Sequence, residues 1–234
     1  MRKPEITFLP AHPTNTWSRA GQRIEYIVLH YVGAVSTAKN NAEYLHRDAN
    51  LGWSAHFFTD ERGVYQSVPL NLSAGHCGVD YSGGKAPFWG RCRCKNSIGV
   101  EMCVKRDANG VWYLEPETVA NTVRLVRWLM EDYGVPIDHV VRHYDVCGKI
   151  CPEPWVRDPA QWQAFLNRLQ EEEEPMIRYD RVSELPAHYR AGAEKLIARG
   201  ALRGREDGRL DVSEDMLRTM LVCQRMVDER EEPA

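Results

Sequence analysis

The chain has 234 residues, 43% of them apolar and 27% charged, with a formal net charge of −3. That composition excludes a disordered or fibrous chain and allows one sizeable core plus a small appendage. It also gives no general electrostatic drive toward nucleic acid or anionic lipid, and no run approaches the ~20 apolar residues of a membrane span, so neither partner is expected.

The first seventeen residues, MRKPEITFLPAHPTNTW, have a basic start with no continuous apolar segment behind it. We therefore expect neither signal peptide nor anchor. Ile24 to Tyr31 is rich in β-formers with apolar residues on both alternating faces, as in a buried strand, and His30 sits near its end. Gly33 is expected to break that strand and Ser36 to cap a short helix running through Leu45. Trp53 to Phe58 and Val64 to Val68 flank the turn-rich Asp60-Glu61-Arg62-Gly63 and predict a β-hairpin.

Leu70 to Asn96 has no steady period and reads as a long surface loop bearing Tyr81, Phe88 and Trp89. Ser97 to Lys105 alternates, placing Ile98, Val100, Met102 and Val104 on one face and Gly99, Glu101 and Cys103 on the other. Glu117 to Tyr133 has helical spacing and a stop at Gly134 and Pro136. His139 to Tyr144 predicts another short buried strand, and Asp158 to Leu169 a helix with Trp162, Phe165 and Leu169 inward. The alternation predicts an α/β fold with a mixed central sheet flanked by helices.

Glu171 to Glu174 followed by Pro175 marks a boundary, giving a domain over 1–172, a linker over 173–178 and a small helical module over 179–234. The module has two helical patterns, Ala187 to Ala198 and Ser213 to Val227, joined through a Gly200 to Gly204 turn and an Asp207-Gly208 step. So small a unit is expected to have difficulty burying a core alone.

The seven cysteines, scattered and odd in number, fit metal use or a reducing compartment better than a disulfide framework. If the strands ending near His30 and His143 are neighbours, the two imidazoles converge, and Cys151 can return through its loop to complete a His, His, Cys zinc site with a vacant fourth position. Cys147, Cys92 and Cys94 are rival thiols. Cys92 and Cys94, one residue apart, read as a flexible-loop pair, and Cys77, Cys103 and Cys223 as small buried hydrophobes. Glu101 can point toward an activated water as general base, and Lys149 can stabilise an oxyanion beside the open position.

Together, VLHY at 28–31, SAHFFTDERGVYQSVP at 54–69, HCG at 76–78, NSIGVEMC at 96–103 and RHYDVCGKICPEP at 142–154 resemble the zinc-dependent type 2 N-acetylmuramoyl-L-alanine amidases of bacteriophage endolysins and bacterial autolysins, related to the peptidoglycan recognition proteins. The resemblance spans roughly residues 20–170. It implies one zinc ion on His30, His143 and Cys151, with Glu101 and Lys149 catalytic, and bacterial peptidoglycan as partner. His76, Trp53 and Trp89 are candidates for the substrate groove. Ala55 stands where some relatives have a Tyr before the block's His, so no role for that Tyr carries over. The implied reaction cleaves the amide between N-acetylmuramic acid and the L-alanine of the stem peptide. A non-catalytic wall-binding protein and a zinc endopeptidase acting within the stem peptide are the alternatives. Residues 179–234 resemble one S-layer homology module, expected to bind wall polymer, to self-associate into a homo-oligomer, or to pack on the amidase domain. Endolysin-like proteins accumulate in the host cytoplasm before release to the wall, and that location is expected here.

Overall fold

The computed structural model describes residues 3–171, 178–205 and 209–231, with side chains to 225. In chain order come β1 (Ile6–Phe8), β2 (Trp17–Ser18), β3 (Tyr26–Val35), α1 (Ala38–Arg47), β4 (Phe57–Asp60), β5 (Gly63–Gln66), β6 (Leu72–Ser73), β7 (Ser97–Arg106), β8 (Trp112–Tyr113) and α2 (Pro116–Tyr133). They are followed by β9 (Val140–Arg142), α3 (His143–Cys147), α4 (Glu153–Arg157), α5 (Pro159–Gln170), β10 (Arg178–Tyr179), α6 (Ala187–Ala198), β11 (Val212–Ser213) and α7 (Glu214–Glu231). The chain divides into two compact units, Met1–Glu171 and Glu172–Ala234.

The first unit is built on a mixed sheet of order β1-β5-β4-β7-β3-β9, with β8 pairing β7. The neighbouring strands β4, β7, β3 and the edge strand β9 run parallel, while β4 and β5 form the antiparallel hairpin. Helices cover both faces, which is why β3 and β7 are apolar on both alternating sets. Ile27, Leu29, Ile98 and Val100 pack against α2 and α5 on one face. On the other, Phe58 and Cys103 lie under α1, and Tyr26, Val28 and Val141 lie under Cys77, Cys92 and Phe88 of the long loop. This is the layering expected from the sequence.

Several local expectations are corrected. Gly33 does not end β3, because β7 beside it continues as a ladder partner and a register shift between Val32 and Val35 absorbs the irregularity. The helix cap is Thr37 and not Ser36; Thr37 accepts the Asn40 N–H, while the buried Asp60 carboxylate accepts that of Ala38. Trp53 precedes the hairpin, whose first strand starts at Phe57. The strand over 139–144 shrinks to β9, since the Asp145 carboxylate takes the Arg142 N–H at 2.9 Å and both ends of its guanidinium, turning the chain into α3 at His143. Gly134 does stop α2, in the left-handed conformation at φ 65° that a side chain would strain. Cys92, expected in a flexible-loop pair, is buried beside Tyr26, whereas Cys223 is exposed, contrary to its expected burial.

In the second unit, β10 pairs antiparallel with β11, and α6 and α7 bury Leu185, Ala193, Leu196, Leu202 and Leu217 in a core of their own. The expected difficulty is thus met within these sixty residues by two helices closing over one short ribbon. The charge run beyond Glu171, most of the 173–178 linker and the Asp207-Gly208 step lie outside the described residues.

Candidate metal centre and catalytic groups

Strand register sets the site. His30 of β3 pairs with Glu101 of β7, and Leu29 pairs with Arg142, so His143, one residue on, continues the row. Registered partners in a parallel sheet point to the same face, at a strand spacing of roughly 4.8 Å. Glu101, His30 and His143 therefore stand side by side on one face of the sheet, the first two midway along β7 and β3 and the third just past the end of β9. Cys151 joins them because its carbonyl accepts the Tyr144 N–H at 2.9 Å, folding the loop after α3 back over the row.

The Cys151 Sγ lies 3.8 Å from His30 Nδ1, and the His30 and His143 ring centroids are 4.4 Å apart. The three ligand atoms fall within 4.8 Å of one another, and all three residues are buried. A tetrahedral zinc with bonds of ~2.3 Å to sulfur and ~2.0 Å to nitrogen would hold such a pair roughly 3.5 Å apart, close to what is seen. Neither ring nitrogen of His143 has a hydrogen-bond partner. Buried polar atoms left without partners are rare, and both nitrogens of His143 are left able to meet a ligand. Burial, and then the Lys149 charge, push His143 down to about 4, leaving a neutral imidazole suited to a metal. Burial and the Glu101 carboxylate push the Cys151 thiol up, while a Tyr31 N–H on its sulfur and Lys149 act the other way. The buried Cys147 stays outside the group.

Behind the row, His30 Nε2 lies 3.0 Å from His76 Nδ1, His76 Nε2 lies 3.1 Å from Ser97 Oγ, and Ser97 Oγ donates to the Arg93 carbonyl at 2.7 Å. Because that carbonyl can only accept, the chain of donors runs outward from His30 and leaves its Nδ1 bare toward Cys151. His76, expected in the groove, also fixes the orientation of the His30 ring. The signal was Gly99 in the SIGVE block, where an added Cβ would lie 2.6 Å from His76 Cγ. We expect Gly99→Ala to cost about 1–3 kcal/mol of stability by displacing a packed ring, and to weaken metal affinity ~10–100-fold by misorienting His30. Denaturant unfolding and metal competition would measure the two effects separately.

Glu101 Oε1 stands 3.9 Å from His30 Nδ1, and its Oε2 has no partner. Burial raises it to about 8, with Lys149 opposing. Lys149 itself is exposed, and it lines a cleft of about 310 Å3 together with Trp53, His76, Tyr81 and His143. Trp89 lines another hollow, with Gln22, Cys77 and Arg93. Of the three groove candidates, Trp53 and His76 thus share the cleft with His143, Trp89 does not, and Tyr81 was not anticipated. A larger hollow of about 830 Å3 beside β5, lined by Lys39, Asp60 and Arg62, contains none of these groups.

A row of two imidazoles, a thiol and a carboxyl with an unpartnered oxygen on one face of a mixed sheet defines a candidate hydrolytic metal centre. Residues 20–154 match the family described as N-acetylmuramoyl-L-alanine amidase, more than half of the chain, and the chain belongs to that family. It is 34% identical over 163 residues to the N-acetylmuramoyl-L-alanine amidase CwlL of Bacillus licheniformis, covering 66% of this chain and 44% of that protein. It is 32% identical over 168 residues to the amidase BlyA of Bacillus subtilis (strain 168), covering 67% and 45%. The match therefore spans less than half the length of these relatives. Among solved structures it resembles that of PlyL, with a TM-score of 0.58 and 25% identity over 72% of this chain and 99% of that one. The PlyG catalytic domain gives 0.56 and 27% over 71% and 93%.

Proposed function

We propose that this chain is a zinc-dependent peptidoglycan amidase of the endolysin type, hydrolysing the bond between the lactyl carbonyl of N-acetylmuramic acid and the amino group of L-alanine. The observation that carries this reading is the convergence of His30, His143 and Cys151, with both His143 nitrogens unpartnered, beside a carboxyl whose buried Oε2 is also without a partner. His30 through Nδ1, His143 and the Cys151 thiolate would hold one zinc ion. When bound, zinc supplies Lewis acidity that polarises a carbonyl and acidifies water.

The chain's own residues do the rest. Glu101 takes the proton of the attacking water at Oε2 and returns it to the departing alanine nitrogen as the carbon–nitrogen bond breaks. Lys149, at the rim of the cleft, places positive charge beside the carbonyl oxygen as it becomes anionic. His76 keeps His30 in the required tautomer, and Trp53 and Tyr81 offer apolar walls to a sugar–peptide junction. The second unit, whose sequence resembles one S-layer homology module, would serve wall binding or self-association; light scattering of the full chain, and co-sedimentation with purified walls of the full chain and of a chain ending at Glu171, test the two roles.

Digestion of purified walls should release stem peptides with free L-alanine amino termini from intact glycan strands. New D-amino-acid termini in the mass spectrum would instead identify an endopeptidase, and unaltered walls a receptor.

A further inference from the structure

The rim of the substrate cleft carries exposed aromatic rings that the hydrolysis itself does not use. Trp17, Tyr44 and Trp53 keep 40%, 38% and 37% of their surface open to solvent. The Tyr44 and Trp53 ring centroids are 6.2 Å apart with planes 31° from parallel, within the range of an aromatic pair. Trp17 joins them through two glycines. A Cβ on Gly75 would lie 2.8 Å from Trp17 Cζ3 and 3.5 Å from the Gly52 carbonyl oxygen, so the indole rests on Gly75 beside Gly52. Gly52, Trp53 and Gly75 all line the 310 Å3 cleft that holds His143. Large aromatic side chains normally gain by burial, and several left open side by side at a cleft mark a surface that a ligand covers.

The cleft has two separately built walls. On one, the Ser54 N–H donates to the Gly75 carbonyl at 3.0 Å and the Gly75 N–H donates to Ser54 Oγ at 3.1 Å, fastening the Trp53 turn to the residues after β6. On the other, the Tyr81 N–H donates to the Cys147 carbonyl at 2.7 Å and Gly148 packs against Ser82, fastening Tyr81 to the loop of Lys149. The first wall presents uncharged rings, and the charges near Tyr44 on α1 pair with one another, Lys39 with Glu43 and Arg47 with Asp48. The second presents the Lys149 ammonium. The substrate is two-sided in the same way. Sugar lies on the carbonyl side of the cleaved amide, and a peptide ending in a carboxylate lies on the nitrogen side. Uncharged amino-sugar rings offer C–H faces that pack on aromatic faces, whereas a carboxylate-bearing peptide is drawn to a cation.

We propose that Trp53, Tyr44 and Trp17 form a glycan subsite, which takes the uncharged amino-sugar rings next to the cleaved muramyl residue and leaves the Tyr81 and Lys149 wall to the stem peptide. The subsite rests on the amidase reading of the cleft and adds a preference to it: muramyl peptides within a glycan strand are cleaved ahead of single-sugar muramyl peptides.

The test uses the full zinc-loaded chain, with circular dichroism and zinc content confirming each variant. Calorimetric titration with chitotetraose, a peptide-free tetramer of N-acetylglucosamine, reads the subsite without hydrolysis. We expect saturable binding in the native protein, weakened about tenfold in Tyr44→Ala and in Trp53→Ala and restored in Tyr44→Phe, since the ring and not the hydroxyl does the stacking. The ratio of kcat/KM on a tetrasaccharide stem peptide to that on a single-sugar muramyl peptide should fall about tenfold in Tyr44→Ala, through KM, as loss of uniform binding does. Absent chitotetraose binding, equal binding in the native protein and both alanine variants, or equal efficiency on the two substrates overturns the proposal. Tyr44→Ala that weakens a sugar-free stem peptide and spares chitotetraose also overturns it, and makes the rings a peptide surface. Tyr44-dependent chitotetraose binding by a chain that frees no L-alanine termini from walls would overturn the amidase reading and leave the subsite standing.

Discussion

Glu101→Gln should keep its catalytic zinc and lose between about 10² and 10⁴ of its turnover on purified walls. The substitution preserves volume and removes only the capacity to carry a proton, so it separates chemistry from folding. Glu101 Oε2 has no partner to lose, and burial already pushes the carboxyl up to about 8. Gln therefore leaves no charge stranded, and the thermal midpoint should stay level or rise. The raised value also places the group where it can both take and return a proton near neutral pH, while a dication beside it favours the carboxylate needed for the first step. Near-native turnover in a zinc-loaded Glu101→Gln protein would remove Glu101 from the mechanism.

Cys151→Ser should lower zinc affinity by more than the ~10–100-fold typical of outer-shell substitutions, with activity falling in step. A serine hydroxyl is a poor replacement for a thiolate at a soft-leaning ion, and His30 and His143 alone cannot enclose it. Cys147→Ser is the matched control. That side chain is buried in α3, only four residues away, but outside the ligand group, so its substitution should cost about 1 kcal/mol of stability and leave zinc binding near native. Metal competition on the two purified variants decides the matter, and equal losses in both would mean that the ligand set is wrong.

Glu101 could be placed on a face because Ser97 to Lys105 alternates, whereas His30 and His143 were legible only as histidines near the ends of buried apolar runs. The neighbourhood of β3 with β7 and β9 could not be read from any local pattern; it came only with the family resemblance. His76 shows where local reading stops. Its sequence block suggests a groove, but its bond to His30 joins residues 46 apart, and only the missing Cβ of Gly99 hints at a ring packed against the strand. The cysteine pair at 92 and 94 misled for a related reason. Loop composition suggested mobility, while burial against Tyr26 and Phe88 was set by tertiary contacts that no spacing rule encodes. At β9, the Arg142–Asp145 clasp outweighed strand propensity by taking the backbone N–H that a ladder would have used.

The pairing of His30 with Glu101 has a consequence for how the chain can vary in length. A ladder advances one residue at a time, and each step turns a side chain to the opposite face. A single residue inserted in β7 ahead of Glu101 would carry that carboxyl through the sheet, into the layer of Ile98, Val100 and α2, and bring an apolar side chain up beside His30. The tight turn at Asp107–Val111, by contrast, lies beyond the row and closes on itself through the Asp107 carboxylate, so it can grow without moving either group. Natural or engineered length changes should therefore accumulate past the strand ends, with the count from Ser97 to Glu101 held constant.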